Sequence, residues 1–354
     1  MAAGISLTQE LLAQGGEKAD VAAEGVFKKE ALPVVTGIAV LTVVLAGCLL
    51  LLAPELLTMG VLAYCLGLRH AVDADHIAAI DNVTRRLTSG RKRPTTVGFF
   101  FALGHSTVVV IVCALLALPN HGIREAVRSL ESKGGTLSAI FSGGFLVVIA
   151  VINFFILLRL GQSWKDTGKS ATHDHSATGL CVACCPRLFS GITAPWHMYP
   201  VGFIFGLGFE TSSEVAVLAM VGLSHSLEHP ALVMLLPMMF LVGMCLIDTI
   251  NGVLMAWVYG AGGADGNRQR LYYNMFVTAT SAAIAMVVGM LELLGVLATS
   301  EGLHGKFWSV IVELNNDFET VGMVIMLFFL SCAVAASCGF RYVFPDVEAG
   351  DAAA

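Results

Sequence analysis

Five ionisable residues lie within nine consecutive positions of an otherwise apolar stretch, and residues 69–77 are Arg-His-Ala-Val-Asp-Ala-Asp-His-Ile. Imidazole nitrogens suit nickel, copper, zinc and iron, and a carboxylate balances the charge of a divalent ion. On one continuous helix, which advances 100° per residue, His70, Asp73 and His76 share a broad face. The spacing therefore predicts a divalent-metal site formed by these three side chains.

The other two ionisable residues of the segment have less direct roles. Asp75 points away from the shared face, so it is expected to orient a histidine of a neighbouring helix or to pair with Arg69. A charged side chain near the centre of a membrane helix costs roughly 2.5–3.5 kcal/mol on insertion scales, which indicates a functional reason for the cluster. The alternative is a salt-bridge network around Arg69 that only holds helices together.

The whole chain has the composition of a membrane protein. Of its 354 residues, 56% are hydrophobic and 13% are charged, and the mean hydropathy is +0.79. Charged residues make up about 25% of an ordinary globular domain. Runs of about 20 apolar residues can cross a bilayer as helices, so we predict an all-α polytopic integral membrane protein. The eight predicted transmembrane helices are at about 31–53, 58–82, 96–118, 138–160, 198–222, 231–259, 271–299 and 307–337.

The basic residues predict the orientation of these spans. An even number of spans places both termini on one side of the membrane. If that side is the cytoplasm, fifteen of the 20 Lys and Arg residues are cytoplasmic and four are on the opposite side, as the positive-inside rule requires. The predicted organisation is a cytoplasmic tail at 1–30, a transmembrane domain at 31–337 that contains a loop at 161–197, and a cytoplasmic tail at 338–354. No basic face with interleaved aromatic residues indicates nucleic acid.

Three further predicted spans carry polar residues that suit the same site. His105, in the third span, is either a ligand or an interhelical hydrogen-bonding group. Glu210 and Glu214, in the fifth span, share one helix face, so a cation, a proton or a base from another helix is expected between them. The residues predicted to support the ion pathway are Arg69, Ser106, Thr107, Glu210, Thr211, Ser213, Glu214, Asp248, Thr249 and Asn251.

The second and fifth spans also resemble each other weakly. Leu-Gly-Leu at 66–68 precedes the first cluster, and Leu-Gly-Phe at 207–209 precedes the two glutamates. Three spans separate the two segments, so a repeat of this kind would be inverted in the membrane, as in many secondary transporters. Chance similarity among Gly and Leu residues is the alternative.

Four segments resemble the signature segments of the nickel/cobalt transporter family (NiCoT), in the family's order: 69–77, 103–109, 207–214 and 243–249. The resemblance implies high-affinity uptake of nickel or cobalt across a membrane through eight helices with cytoplasmic termini. It implies no cofactor beyond the transported ion, and a plasma membrane location with an organellar membrane as the alternative. It also implies a set of residues essential to transport, which are His70, Asp73, Asp75 and His76.

Two positions depart from the family pattern. The third signature usually has Asp followed by Thr-Ala-Thr-Glu, whereas this chain has Glu210 followed by Thr-Ser-Ser-Glu. The fourth usually ends in a second Asp, where this chain has Asn251. The longer side chain and the lost charge are expected to alter coordination, and with it metal preference and affinity.

The loop between the fourth and fifth predicted spans carries a separate set of metal-binding residue types. Thiolates and imidazoles together can fill four positions around a borderline metal. The loop is therefore a candidate accessory site that delivers metal to a downstream acceptor. The alternatives are a solvated loop and a lipidated group of cysteines. The candidate ligands are His173, His175, Cys181, Cys184 and Cys185.

Two other functions fit part of the pattern. A metal exporter would use the same central site, because the residue pattern does not set the direction of transport. A membrane metalloenzyme that holds iron would carry several repeated multi-histidine motifs at the cytosolic edge, whereas this chain has one tight pair inside a span. The sequence therefore favours a transporter over an enzyme.

Overall fold

Helices are the only regular secondary structure in the residues that the computed structural model describes, in agreement with the predicted all-α fold. The described residues are 29, 31–88, 94–118, 121–166, 192–207, 212–223, 230–261, 267–328 and 331. The helices, numbered in chain order, are α1 Leu32–Leu52, α2 Leu57–His70, α3 Ala74–Thr88, α4 Val97–Ala117, α5 His121–Asp166, α6 Met198–Phe205, α7 Ser212–Leu223, α8 Pro230–Val233, α9 Leu235–Ala261, α10 Asn267–Ser300, α11 Lys306–Asn316 and α12 Phe318–Phe328.

Five helical segments of the described chain are long and apolar enough to cross a membrane. They coincide with five of the predicted spans. Their outer faces carry large apolar side chains, and in α1 the side chains of Val43 and Leu51 are 72% and 81% exposed. Such faces suit contact with lipid, so the chain is a polytopic integral membrane protein. The segments are Leu32–Leu52, Val97–Ala117, Gly135–Leu158, Ala231–Ala256 and Met275–Ser300.

The other three predicted spans are not continuous helices. The span predicted at 58–82 consists of α2 and α3, which are separated at residues 71–73. The span at 198–222 contains α6 and α7, with residues 208–211 outside the described chain, and the span at 307–337 contains α11 and α12. The prediction of a single helix through His70 and His76 is therefore wrong, and the two histidines do not share a face of one helix.

The backbone between α2 and α3 is a short turn. Val72 N–H donates to the Arg69 carbonyl and Asp73 N–H to the His70 carbonyl, both at 3.0 Å. Ile77 N–H then donates to the Asp73 carbonyl at 3.2 Å, which starts α3. Non-helical backbone at membrane depth is tolerated where protein buries it, and Asp73 is only 2% exposed. The turn is thus buried, and it places two histidines on separate helices.

Glycines allow the helices around this turn to cross closely. Gly67 and Gly243 lie where α2 crosses α9, and Gly104 and Gly202 lie where α4 crosses α6. A Cβ atom added at any of the four would meet backbone atoms of the opposite helix. Small residues at such positions let backbones approach within packing distance. The crossings bring the end of α2, the middle of α4 and the middle of α9 to one region.

A buried polar network fixes α3 to two long helices. Asn153 Nδ2 on α5 donates to Asn82 Oδ1 on α3 at 2.6 Å. The Arg85 guanidinium donates to Asn153 Oδ1 and, at 3.0 Å, to Thr278 Oγ1 on α10. Because these bonds join α3 to α5 and α10, they set the position of the helix that carries His76.

Candidate metal site

Three buried histidines from three helices form a compact cluster. His70 ends α2, His76 lies in the first turn of α3, and His105 lies in α4. One ligand atom from each lies within 4.8 Å of those of the other two. The ring centroids of His70 and His76 are 4.7 Å apart, and each is 4.9 Å from that of His105. The arrangement is a set of imidazoles of the kind that binds first-row transition metals.

Carboxylates hold the outer nitrogens of two of these rings. His70 Nδ1 lies 2.9 Å from Asp73 Oδ2, and His76 Nδ1 lies 3.3 Å from Asp248 Oδ2 on α9. A carboxylate on one ring nitrogen fixes the tautomer and the orientation of the ring, and it makes the other nitrogen a better ligand. The Nε2 atoms of His70 and His76 are therefore the nitrogens available to a metal.

The third histidine meets a buried glutamate. His105 Nε2 lies 3.1 Å from His70 Nε2 and 2.7 Å from Glu214 Oε1 on α7. Two ligands at right angles around one metal, with imidazole bonds of about 2.0–2.1 Å, have donor atoms about 3 Å apart. The His70–His105 distance matches adjacent positions on one ion, and the Glu214 carboxylate lies within reach of the same ion.

Several polar atoms of the cluster are buried and have no hydrogen-bond partner among the described residues. They include His76 Nε2, Asp73 Oδ1 and Asp248 Oδ1. An unsatisfied buried donor or acceptor costs about 1–3 kcal/mol. A divalent cation would use the free nitrogen as a ligand, and the three carboxylates of Asp73, Glu214 and Asp248 would balance its charge. The donor set therefore fits a divalent transition metal.

The remaining residues of the predicted cluster lie further out. Asp75 is in the first turn of α3 and is partly exposed, whereas the histidines are buried. Arg69 is 49% exposed, and its guanidinium pairs with Glu319 of α12. The predicted alternative of an Arg69–Asp75 pair is therefore wrong. Only one feature of the sequence marks Glu319: it follows a polar segment, residues 313–317, in the last predicted span.

Three of the predicted hydroxyl groups have hydrogen-bond partners. Ser106 Oγ donates to Met244 Sδ at 3.2 Å, Thr107 Oγ1 to the Leu103 carbonyl at 2.6 Å, and Thr249 Oγ1 to the Cys245 carbonyl. Asn251 is different, because it is buried and, among the residues described, neither of its side-chain polar atoms has a hydrogen-bond partner. Ser213 lies in α7, and the other predicted residues lie outside the described chain: Glu210, Thr211, His173, His175, Cys181, Cys184 and Cys185.

Two aromatic rings that sequence reasoning missed enclose the cluster. The Phe240 ring centroid is 5.7 Å from that of His70, and the Phe101 ring centroid is 4.8 Å from that of His76. Both phenylalanines are fully buried. Only their spacing relative to Gly104 and Gly243, three residues before each glycine, marks them in the sequence. They pack against the imidazoles and help to bury the cluster.

The fold and the site together define a class of protein: a helical membrane protein with a buried cluster of imidazoles and carboxylates that fits a divalent transition metal. A model of the family described as "High-affinity nickel-transport protein" matches residues 56–338. The chain belongs to this family, and its resemblance to the nickel/cobalt transporters is thereby confirmed.

Named relatives match most of the chain. The "Nickel transporter NixA" of Staphylococcus aureus is 38% identical over 294 residues, which cover 80% of this chain and 85% of that protein. The "Nickel transporter NicT" of Mycobacterium tuberculosis is 41% identical, with 78% and 77% covered. The "Cobalt transport protein NhlF" of Rhodococcus rhodochrous is 34% identical, with 77% and 79% covered. No solved structure matches the chain.

The Asp248–His76 pair leads to a prediction about affinity. The Asp248→Asn variant keeps the shape of the side chain but removes the charge beside His76 Nδ1. Loss of such a supporting carboxylate is expected to weaken nickel binding by about 10–100-fold. Calorimetric titration of the purified protein measures the change. The exposed Glu55→Gln variant, which also removes one negative charge, is the control and is expected to bind like the unaltered protein; equal affinity of the two variants would contradict the role of Asp248.

Proposed function

We propose that this protein takes up nickel or cobalt ions with high affinity across a membrane. The observation that carries the proposal is the cluster of His70, His76 and His105, with a free imidazole nitrogen and three nearby carboxylates inside a membrane protein. Relatives with 34–41% identity are named for nickel or cobalt transport. A transporter needs such a site to replace the hydration shell of its ion, because the ion cannot cross the apolar core with its water.

The proposed topology has eight crossings, with both termini in the cytoplasm. The five long apolar segments and the three broken helix pairs support the number of crossings. The excess of Lys and Arg in alternate loops supports the orientation. Broken helices near the middle of the membrane commonly form the ion site of a secondary transporter. The bacterial relatives favour the plasma membrane.

The proposed route begins on the non-cytoplasmic side. A hydrated ion exchanges water for the Nε2 atoms of His70, His76 and His105, with Asp73 balancing its charge. It then leaves towards the cytoplasm past Asp248 and the buried Asn251. In the proposed topology α9 runs from the outer side to the cytoplasm, so Asn251 lies on the cytoplasmic side of Asp248. Neutral imidazole is the form that binds metal, so protons compete with the ion at this site.

The loop between α5 and α6 remains a proposed accessory site. His173, His175 and the three cysteines at 181, 184 and 185 lie outside the described residues. If the loop receives the ion from the central site, the ion passes to a downstream acceptor without being released into the cytoplasm. The soft and borderline ligands of the loop suit nickel and cobalt.

Isotope flux tests the function directly. Cells that express the full chain, and cells that do not, receive radioactive nickel, cobalt, zinc or manganese at trace concentration. Uptake of nickel or cobalt above the background is expected, with little uptake of manganese, because carboxylate-rich and water-rich sites suit manganese better than imidazole. Faster loss of preloaded metal from expressing cells would instead establish an exporter, and no flux in either direction would reject the transport function.

A further inference from the structure

An ion pair joins the metal site to the last helix of the described chain. Arg69 directly precedes His70, and its Nε atom donates to Glu319 Oε2 in the first turn of α12. The two residues are 250 positions apart in the sequence. Glu319 is 15% exposed and Arg69 is half exposed, so the pair lies at the edge of the protein rather than among the buried ligands.

The next turn of α12 lies directly on the break between α2 and α3. A Cβ atom added at Gly322 would overlap the Val72 carbonyl oxygen and would lie 3.0 Å from Ala74 N. Gly322 is buried, so the backbone of α12 and the backbone of the turn are in direct contact. The turn holds Asp73, whose carboxylate lies 2.9 Å from His70 Nδ1. Helix α12 therefore contacts Arg69, which precedes the proposed ligand His70. It also contacts the two neighbours of Asp73, the acid that supports His70.

The start of α12 is itself fixed. Thr320 Oγ1 donates to Asp317 Oδ1 at 2.9 Å, at the point where α11 ends and α12 begins. An acidic residue in the first turn of a helix is also favourable to the helix dipole. Glu319 is thus presented to Arg69 from a defined helix start.

We propose that Glu319 is a positioning residue of the metal site, through which α12 holds Arg69 and the 71–73 turn so that His70 and Asp73 keep their binding geometry. The inference rests on the proposed function and deepens it. Two physical effects operate. The ion pair and the Gly322 contact restrain a turn that has only local backbone bonds of its own, and the carboxylate neutralises a cation that adjoins the site of a divalent ion. Loss of Glu319 would remove the ion pair and the charge neutralisation, and would leave the Gly322 contact as the only one of these restraints.

Nickel titration of the purified full chain in detergent tests this role. Glu319→Gln is expected to weaken nickel binding by about tenfold, the lower end of the range for residues that support a metal ligand, and Arg69→Gln by less, because it also removes the cation beside the site. The double variant is expected to bind like Arg69→Gln rather than to add the two losses, because both changes break one interaction. Glu319→Asp keeps the charge and is expected to retain affinity within about threefold of the unaltered protein. Glu301→Gln, at an exposed position after α10, is the matched control.

A purely structural role makes a different prediction. It would lower the thermal unfolding midpoint and, through the loss of folded transporter, the maximal uptake rate at unchanged KM, whereas a positioning role raises KM at an unchanged maximal rate and an unchanged midpoint. Nickel affinity of Glu319→Gln equal to that of Glu301→Gln, or additive losses in the double variant, would overturn the inference. If Glu319→Gln does not fold, the double variant carries the test, because it leaves no unpaired arginine; unaltered affinity there would also overturn it. Failure of the unaltered chain to bind nickel would instead count against the proposed function.

Discussion

Cells that express the His70→Ala variant are expected to accumulate nickel at least about 100-fold more slowly than cells that express the unaltered protein, since even residues that only support a ligand change affinity by about 10–100-fold. His70 contributes an Nε2 atom that lies 3.1 Å from His105 Nε2. Its loss removes a ligand and also leaves the Asp73 carboxylate without its imidazole partner. Uptake of radioactive nickel, normalised to the amount of transporter in the membrane, measures the effect.

The matched control for this prediction is His304→Ala. His304 is exposed in the connection between α10 and α11, away from the cluster. It is expected to have no effect on uptake. If the His70→Ala protein reaches the membrane in normal amounts and its cells still accumulate nickel at the normal rate, the assignment of His70 to the metal site is wrong. Asp73→Ala is expected to lower uptake as well, and to a smaller extent if Asp73 only orients His70.

The sequence predicts the chemistry of this protein better than its backbone. The residue types of the cluster and their position in apolar spans follow from the sequence, which leaves open whether His105 is a ligand or an interhelical hydrogen-bonding group. The partner that each of these residues contacts does not follow from the sequence. Asp73 and His76 are predicted to share a face of one helix, but the helix ends at His70 and Asp73 starts the next. No propensity rule marks the turn at 71–73, because its backbone packs against Gly322, more than 240 residues later.

The same limit explains Asp248 and Glu214. The sequence predicts Asp248 as a pathway residue without a partner, and for Glu214 it predicts a cation, a proton or a base from another helix without identifying which. Asp248 pairs with His76 because α9 packs against α3, and Glu214 meets His105 because α7 packs against α4. Contacts between helices far apart in sequence depend on which helices are neighbours in the folded protein, and hydrophobic periodicity does not predict this. A charged residue inside a span signals a partner, and only the tertiary structure identifies it.

The second and fifth predicted spans share a packing feature. Both spans are divided into two helices, and each crosses a helix of the other half: α2 crosses α9, and α6 crosses α4. A Cβ atom at Gly67 would meet the Phe240 carbonyl of α9, and one at Gly202 would meet the Phe101 carbonyl of α4. The crossings therefore match Gly67 with Gly202 rather than with Gly208, so the inverted repeat stays a prediction beside chance similarity.

The close crossings make glycine essential at positions that supply no metal ligand. Gly67→Ala is expected to abolish folding or transport, because the added Cβ atom would overlap the Phe240 carbonyl and lie 3.1 Å from Met244 N. Backbone atoms cannot move aside as side chains can, and overpacking costs about 1–3 kcal/mol, occasionally more. Any shift of α2 away from α9 also moves His70, three residues later, away from the rest of the site. Thermal unfolding of the purified protein and nickel uptake measure the two consequences.

Gly47→Ala separates this steric effect from helix propensity. Gly47 lies within α1, and a Cβ atom there would meet nothing within 4 Å. Alanine is favoured over glycine in a helix by about 0.8–1.0 kcal/mol, so this variant is expected to fold and transport normally, with an equal or higher unfolding midpoint. Gly67→Ala gains the same propensity and is still expected to lose stability, since the crossing opposes it. Normal stability of Gly67→Ala would show that α2 and α9 are further apart than the structure places them, and that His70 does not depend on their contact.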